Sequence, residues 1–214
     1  MWADKIIFWL TPQTSSAVAG LLRSSVIYDL PMFLAYLTMI PGMAVFFIRF
    51  ETDFARSYHD YFGAILGHQP LDTLYQYKRE MIAAVARGLY AIVKVQSVAI
   101  VVLFLWSQDI LVFLGISPHY QALLEVNMIS VGLQVVLMAI MSVFFYLDKR
   151  RDALNLAIVF LVTNIVGTQI TIWLDPSTYG YGLLFSTAIT TLIGLARLNQ
   201  ILIHLQFETF MQRA

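Results

Sequence analysis

Apolar residues run in long, almost unbroken stretches along this chain, and polar residues gather in the gaps between them. Crossing the hydrocarbon core of a bilayer takes about 20 mostly apolar residues at ~1.5 Å of helical rise each. Five stretches reach that length: 30–50, 96–116, 122–146, 153–173 and 181–205. All lie well inside the chain, so none reads as a cleaved signal peptide. The shorter run 6–10 cannot cross alone. It reads as the tail of a helix that begins before Met1, which makes 1–28 an outer connection after a truncated helix. The pattern therefore predicts an all-α polytopic transmembrane bundle, a single unit over 1–214, with about five full spans and a partial N-terminal helix.

Most gaps are short. Ser117-Pro118 and Asp175-Pro176 read as turns that end one helix and open the next, because proline lacks a backbone donor and suits a first helical turn. The gap 51–95 is different. Pro70 can open a helix there. Leu71, Leu74, Tyr75, Ile82, Val85 and Leu89 recur at three- and four-residue steps, opposite Asp72, Gln76, Arg79, Glu80 and Arg87. This one-faced pattern predicts an amphipathic helix in a cytoplasmic connection, running on into the second span. It suits either a docking surface for a cytosolic partner or an interfacial anchor.

Charge gives the orientation. Arg49, Arg56, Lys78, Arg79, Arg87, Lys149, Arg150, Arg151, Arg197 and Arg213 fall on one set of connections, and only Lys5 and Arg23 on the other. The ten are expected inside the cell, with the N-terminus outside. Trp2, Trp9, Trp106 and Trp173 then lie at the outer edge, where an indole keeps its ring apolar and its N–H wet.

Composition narrows the chemistry. With 59% hydrophobic and 12% charged residues, the chain is far from a soluble or disordered composition. Thirteen basic and thirteen acidic residues cancel, which excludes a strongly basic nucleic-acid face. With no cysteine there are no disulfides, thiolate metal sites or cysteine nucleophiles. His59, His68, His119 and His204 form no metal-ligand spacing. No catalytic motif is present, Gly180-x-Gly182 reads as a turn, and neither a cofactor nor a metal is expected.

Polar residues within the spans are the candidate functional groups, because each is costly in hydrocarbon unless it faces a partner or water. Asn127 and Gln134 on the third span, and Asn164, Thr168 and Gln169 on the fourth, suit either a cavity lining or interhelical hydrogen bonds. Thr163, Gly167 and Thr171, and likewise Ser186, Thr190 and Gly194, are spaced four apart and predict close packing of the last two spans. Lys94 and Glu125 are the ionisable residues read as nearest to hydrocarbon. Each suits an ion-coupling role or simple access to the headgroups. Pro41-Gly42 predicts a kink in the first span.

Several segments resemble the PelG family of Pel exopolysaccharide transporters. They are Tyr28-Asp29-Leu30-Pro31-Met32-Phe33-Leu34-Ala35-Tyr36-Leu37, Ile40-Pro41-Gly42-Met43-Ala44-Val45-Phe46-Phe47, Arg49-Phe50-Glu51-Thr52-Asp53-Phe54, Val143 through Arg151, Tyr179-Gly180-Tyr181-Gly182 and Phe207-Glu208-Thr209-Phe210-Met211. Trp2-Ala3-Asp4-Lys5 is also similar. The resemblance implies a MATE-like flippase of two six-helix lobes that works by alternating access, with this chain as the C-terminal lobe lacking most of its first helix. It further implies export of a growing, amino-sugar-rich polysaccharide across the bacterial inner membrane. The implied partners are a cytosolic glycosyltransferase and membrane subunits of a synthase complex, one of them a cyclic-di-GMP sensor. The residues also allow a membrane scaffold that only recruits the glycosyltransferase, and a small-molecule or ion transporter of the same fold.

Overall fold

The computed structural model describes residues 2–19 and 22–211; Arg213, one of the ten cations, lies outside them. The chain opens with α1 (Ala3–Leu10) and a hairpin, β1 (Ser16–Ala19) paired antiparallel with β2 (Leu22–Ser24). Among the described residues, the hairpin is the one addition to the all-helical expectation. It is followed by α2 (Val26–Leu37), α3 (Ile40–Ile48), a π-helical segment (Arg49–Phe54) and α4 (Ala55–Leu66). Then come α5 (Leu71–Leu105), α6 (Ser107–Phe113), α7 (Gln121–Tyr146), α8 (Arg150–Leu174) and α9 (Tyr181–Met211). Among the described residues, four helices are long and apolar enough to cross a membrane, and the α2 pair with Ile40–Leu66, bent by 41°, makes a fifth when counted as one span.

α7 is the central helix. Two-thirds of its apolar window (67%) is buried inside the bundle, against 17% for α5, which turns most of its surface outward. α9, α2, α5 and α8 all pack on α7, and α8 and α9 pack extensively on each other. Val131, Val135, Ala139, Ile140, Val143 and Phe144 of α7 are fully buried and form the middle of the apolar core.

The first span breaks at Thr38-Met39, ahead of Pro41-Gly42 where the kink was expected. The cause is still Pro41. It supplies no N–H to the carbonyl four residues back, and its ring crowds that carbonyl, which belongs to Leu37, the last residue of α2. Pro41 itself sits in the first turn of α3, where a missing donor costs little.

The second span also shifts. It was expected over 96–116, but α5 ends at Leu105 and Trp106 breaks the helix. The polar run Ser107-Gln108-Asp109 opens the separate short helix α6. The amphipathic segment does run on into this span: α5 is one helix of 35 residues, about 52 Å long at ~1.5 Å per residue. That exceeds the hydrocarbon core by about 20 Å, so the polar N-terminal end of α5 extends beyond it.

The gap 51–95 is helical on both sides of a tight turn at 67–70, where His68 adopts φ 50°. An aromatic stripe four residues apart runs through it: Phe46, Phe50, Phe54, Tyr58 and Phe62. Successive ring centroids lie 5.2, 5.7, 6.3 and 4.5 Å apart. In an α-helix such a row winds around the axis by about 40° per step. The wider π turn at Arg49–Phe54 takes back part of that drift and keeps the rings on the side facing α5 and α7. Gly88 of α5 gives Phe50 its place, since a Cβ there would sit 3.1 Å from the ring.

Candidate functional site

Polar side chains are buried along the inner faces of α1, α2, α5, α7 and α8. The most consequential was not among the ionisable residues expected near hydrocarbon. Asp4, in the first turn of α1, is fully buried. Its Oδ2 accepts a 2.7 Å hydrogen bond from the Tyr28 hydroxyl of α2. Its Oδ1 faces Asn164 Nδ2 of α8 at 3.5 Å, and the Thr168 hydroxyl donates to Asn164 Oδ1 at 3.0 Å. Among the described residues no Lys, Arg or His forms an ion pair with Asp4.

Apolar contacts hold α1 in place. Phe8, one turn after Asp4, stacks on Tyr28 at 4.0 Å and meets Tyr179 edge-on at 5.1 Å. Trp9 donates to Asp29 at 2.8 Å, and Thr14 and Ser25 close the connection through backbone carbonyls. The readable signal for Asp4 was its spacing from Phe8, which puts an acid on the one apolar face of a short helix.

α7 contributes Asn127 and Gln134, both buried, and none of their four side-chain amide atoms has a hydrogen-bond partner. Asn127 lies against the turn glycine Gly180, and Gln134 lies beside Tyr36 of α2. Gln96 of α5, which sequence reasoning passed over as the start of a span, spans the helix break. Its Nε2 donates to Thr38 O at 3.0 Å, while its unpartnered Oε1 fills the space above Gly42. A buried orphan polar atom costs about 1–3 kcal/mol, so a line of them is expensive and calls for a reason beyond packing.

The other candidates lie elsewhere. Gln169 is half-buried next to Thr168. Lys94 is on the exposed surface of α5. Glu125 accepts from Ser107 at 2.9 Å and from Gln121 at 2.8 Å, tying the α6 corner to α7. Neither Lys94 nor Glu125 is among the partners of Asp4.

Where α8 and α9 cross, Thr163 donates to Ser186 at 3.3 Å, and Gly167 lies against the backbone of Gly182. Gly182, read as part of a turn, is therefore a packing glycine; Gly180, at φ 87°, is the turn residue. Thr171 and Thr190 bond to carbonyls of their own helices, and Gly194 meets Leu156 and Ile140. Outside the membrane region, the Ser177 N–H holds the Asp175 carboxyl below its ordinary range.

Long apolar helices that bury a line of polar side chains and include one broken span define a polytopic helical membrane protein. Residues 1–210 match the sequence model of one family, described as "PelG: Putative exopolysaccharide Exporter (EPS-E)", and the chain belongs to that family. No curated protein and no solved structure matches the chain.

Proposed function

We propose that this chain is a lobe of a transporter that moves a growing, amino-sugar-rich polysaccharide across the bacterial inner membrane by alternating access. The observation that carries this reading is the family match over residues 1–210, nearly the whole chain. The buried amides support it. Asn127, Gln134, Asn164 and Thr168, with half-buried Gln169 beside them, present hydrogen-bonding groups suited to sugar hydroxyls once the lobe opens toward a polymer path. The break at Thr38-Met39, induced by Pro41 and followed by Gly42, supplies a discontinuous helix next to that line, as substrate paths in transporters often do. In this reading the lobe carries no catalytic residue. Lys94 and Glu125 act at its periphery, Lys94 at a headgroup and Glu125 in the corner it ties together.

The basic connections lie in the cytoplasm and the connection between α1 and α2 outside. Two contacts support a common basic end: Lys78 of α5 donates to Ile203 O of α9 at 2.9 Å, and Arg197 of α9 pairs with Asp152 of α8 at 2.7 Å. The projecting end of α5 also favours a second role, as the surface on which a cytosolic glycosyltransferase of the synthase assembles.

The test is complementation in a strain lacking its own copy of this transporter. Gln134→Leu and Asn127→Leu should reach the membrane at wild-type levels yet reduce secreted polymer at least tenfold. Undiminished secretion by both variants would refute the polymer-path assignment.

A further inference from the structure

We propose that Asp4, Tyr28, Asn164 and Thr168 form a proton-binding site inside the lobe, with the Asp4 carboxyl as the group that gains and loses the proton. The argument begins with depth. Asn164 is about 15 Å from the Leu174 end of α8 and about 21 Å from the Arg150 end at ~1.5 Å per residue, so the carboxyl it faces lies near mid-membrane. A carboxylate there without a cation is strongly disfavoured and takes up a proton instead.

Among the described residues, the charged and titratable groups around it form no ion pair with that carboxyl. Lys5, the next residue of the same helix, forms no ion pair with it; its ammonium lies over the rings of Trp2 and Tyr36, 5.1 Å from each centroid, and acts on the carboxyl only as a more distant charge. Arg23 of β2 is exposed and bonds to Ser15. From α2 come the hydroxyl of Tyr28, the ring of Tyr36 and the carboxyl of Asp29, the last held by Trp9 and the Ser25 N–H. From α8 come only Asn164 and Thr168. Tyr179, ahead of α9, reaches Phe8.

The neighbours of Asp4 suit both protonation states. With the amide as placed, Tyr28 and Asn164 aim two donors at a carboxylate, and Thr168 orients Asn164. With the Asn164 amide turned over, its Oδ1 accepts the proton of the neutral carboxyl. The Thr168 hydroxyl then accepts from Nδ2 and turns its own proton to a carbonyl of its helix. A hydroxyl can donate or accept, so the exchange leaves no group unpaired. The step is simple proton uptake: a proton from water bonds to a carboxylate oxygen, and its release restores the charge. A site purely for packing needs no acid, because an asparagine at position 4 would also accept from Tyr28.

The experiment is pH-difference infrared spectroscopy on the full chain in liposomes, reading the carbonyl stretch of protonated carboxyls. Wild type should show a titrating band that Asp4→Asn removes, that Asp4→Glu retains at a displaced midpoint, and that Thr168→Val shifts in midpoint. A band identical in wild type and Asp4→Asn would overturn the proposal. So would a band abolished by sodium but not by choline at constant pH, which would mean a metal cation occupies the site. If Asp4→Asn fails to elute as a single folded species, an unchanged midpoint in Asp4→Glu is the overturning result. No polymer is present, so the outcome is independent of whether the chain exports polysaccharide.

Discussion

Substituting Gly182 with alanine tests the α8–α9 packing most sharply. A Cβ at Gly182 would sit 2.5 Å from Gly167 C and 2.5 Å from Thr168 N, both backbone atoms that no rotamer change can move. Optimal carbon–carbon contact is about 3.5 Å, so the helices must separate by about 1 Å at their crossing. A gap of that size forfeits roughly a quarter to a half of each dispersion contact it opens. It also stretches the 3.3 Å Thr163–Ser186 hydrogen bond one turn away. Overpacking of this kind costs about 1–3 kcal/mol, of which better helix propensity returns less than about 1 kcal/mol. Gly182→Ala should therefore be less stable than wild type by about 1–2 kcal/mol in a thermal melt of the detergent-solubilised protein. Gly63→Ala is the matched control, since a Cβ there meets nothing within 4 Å, and it should be neutral or slightly stabilising. A Gly182→Ala protein as stable as Gly63→Ala would refute the close backbone contact.

Two further outcomes follow from the fold. Gln96→Leu removes the donor to Thr38 O at the helix break and should lower stability by about 1–2 kcal/mol, read as a reduced melting temperature; an unchanged melt would mean the break needs no cap. Asp53 is held below the ordinary carboxylate range chiefly by its hydrogen bond from Arg49, at 2.8 Å with both side chains about half exposed. Because the folded carboxyl titrates low, the stabilisation is full above about pH 4 and fades as pH falls through the lowered value. Arg49→Gln should cost roughly 0.3–0.5 kcal/mol at pH 7 and progressively less as the pH falls through the lowered value. A cost that did not change with pH would rule out this pair as its source.

The spans were legible because each is a local property. An unbroken apolar run of sufficient length must satisfy its own backbone in lipid, and the helix does so without help from other segments. The continuous α5 was readable for the same reason, from periodicity alone. The break in the first span was readable in kind but displaced, because proline disrupts the residue four positions before it. The π segment left no periodic signal beyond the aromatic stripe that it keeps in register.

The candidate site was harder to read. Asn127, Gln134, Asn164 and Thr168 stood out as polar residues in apolar runs, but Asp4 and Gln96 lay at the edges of such runs and drew no attention. What the sequence by itself determined is that the chain is a helical membrane protein, which residues form its last three spans, and that polar groups must face inward, since length, hydropathy and backbone satisfaction are all encoded along one segment at a time. Only the tertiary structure decided which polar groups meet. Asp4 and Asn164 are 160 positions apart, and Gly167 and Gly182 touch because two helices cross there. Contacts of that kind depend on how separate helices pack, and no periodicity within either helix carries that information.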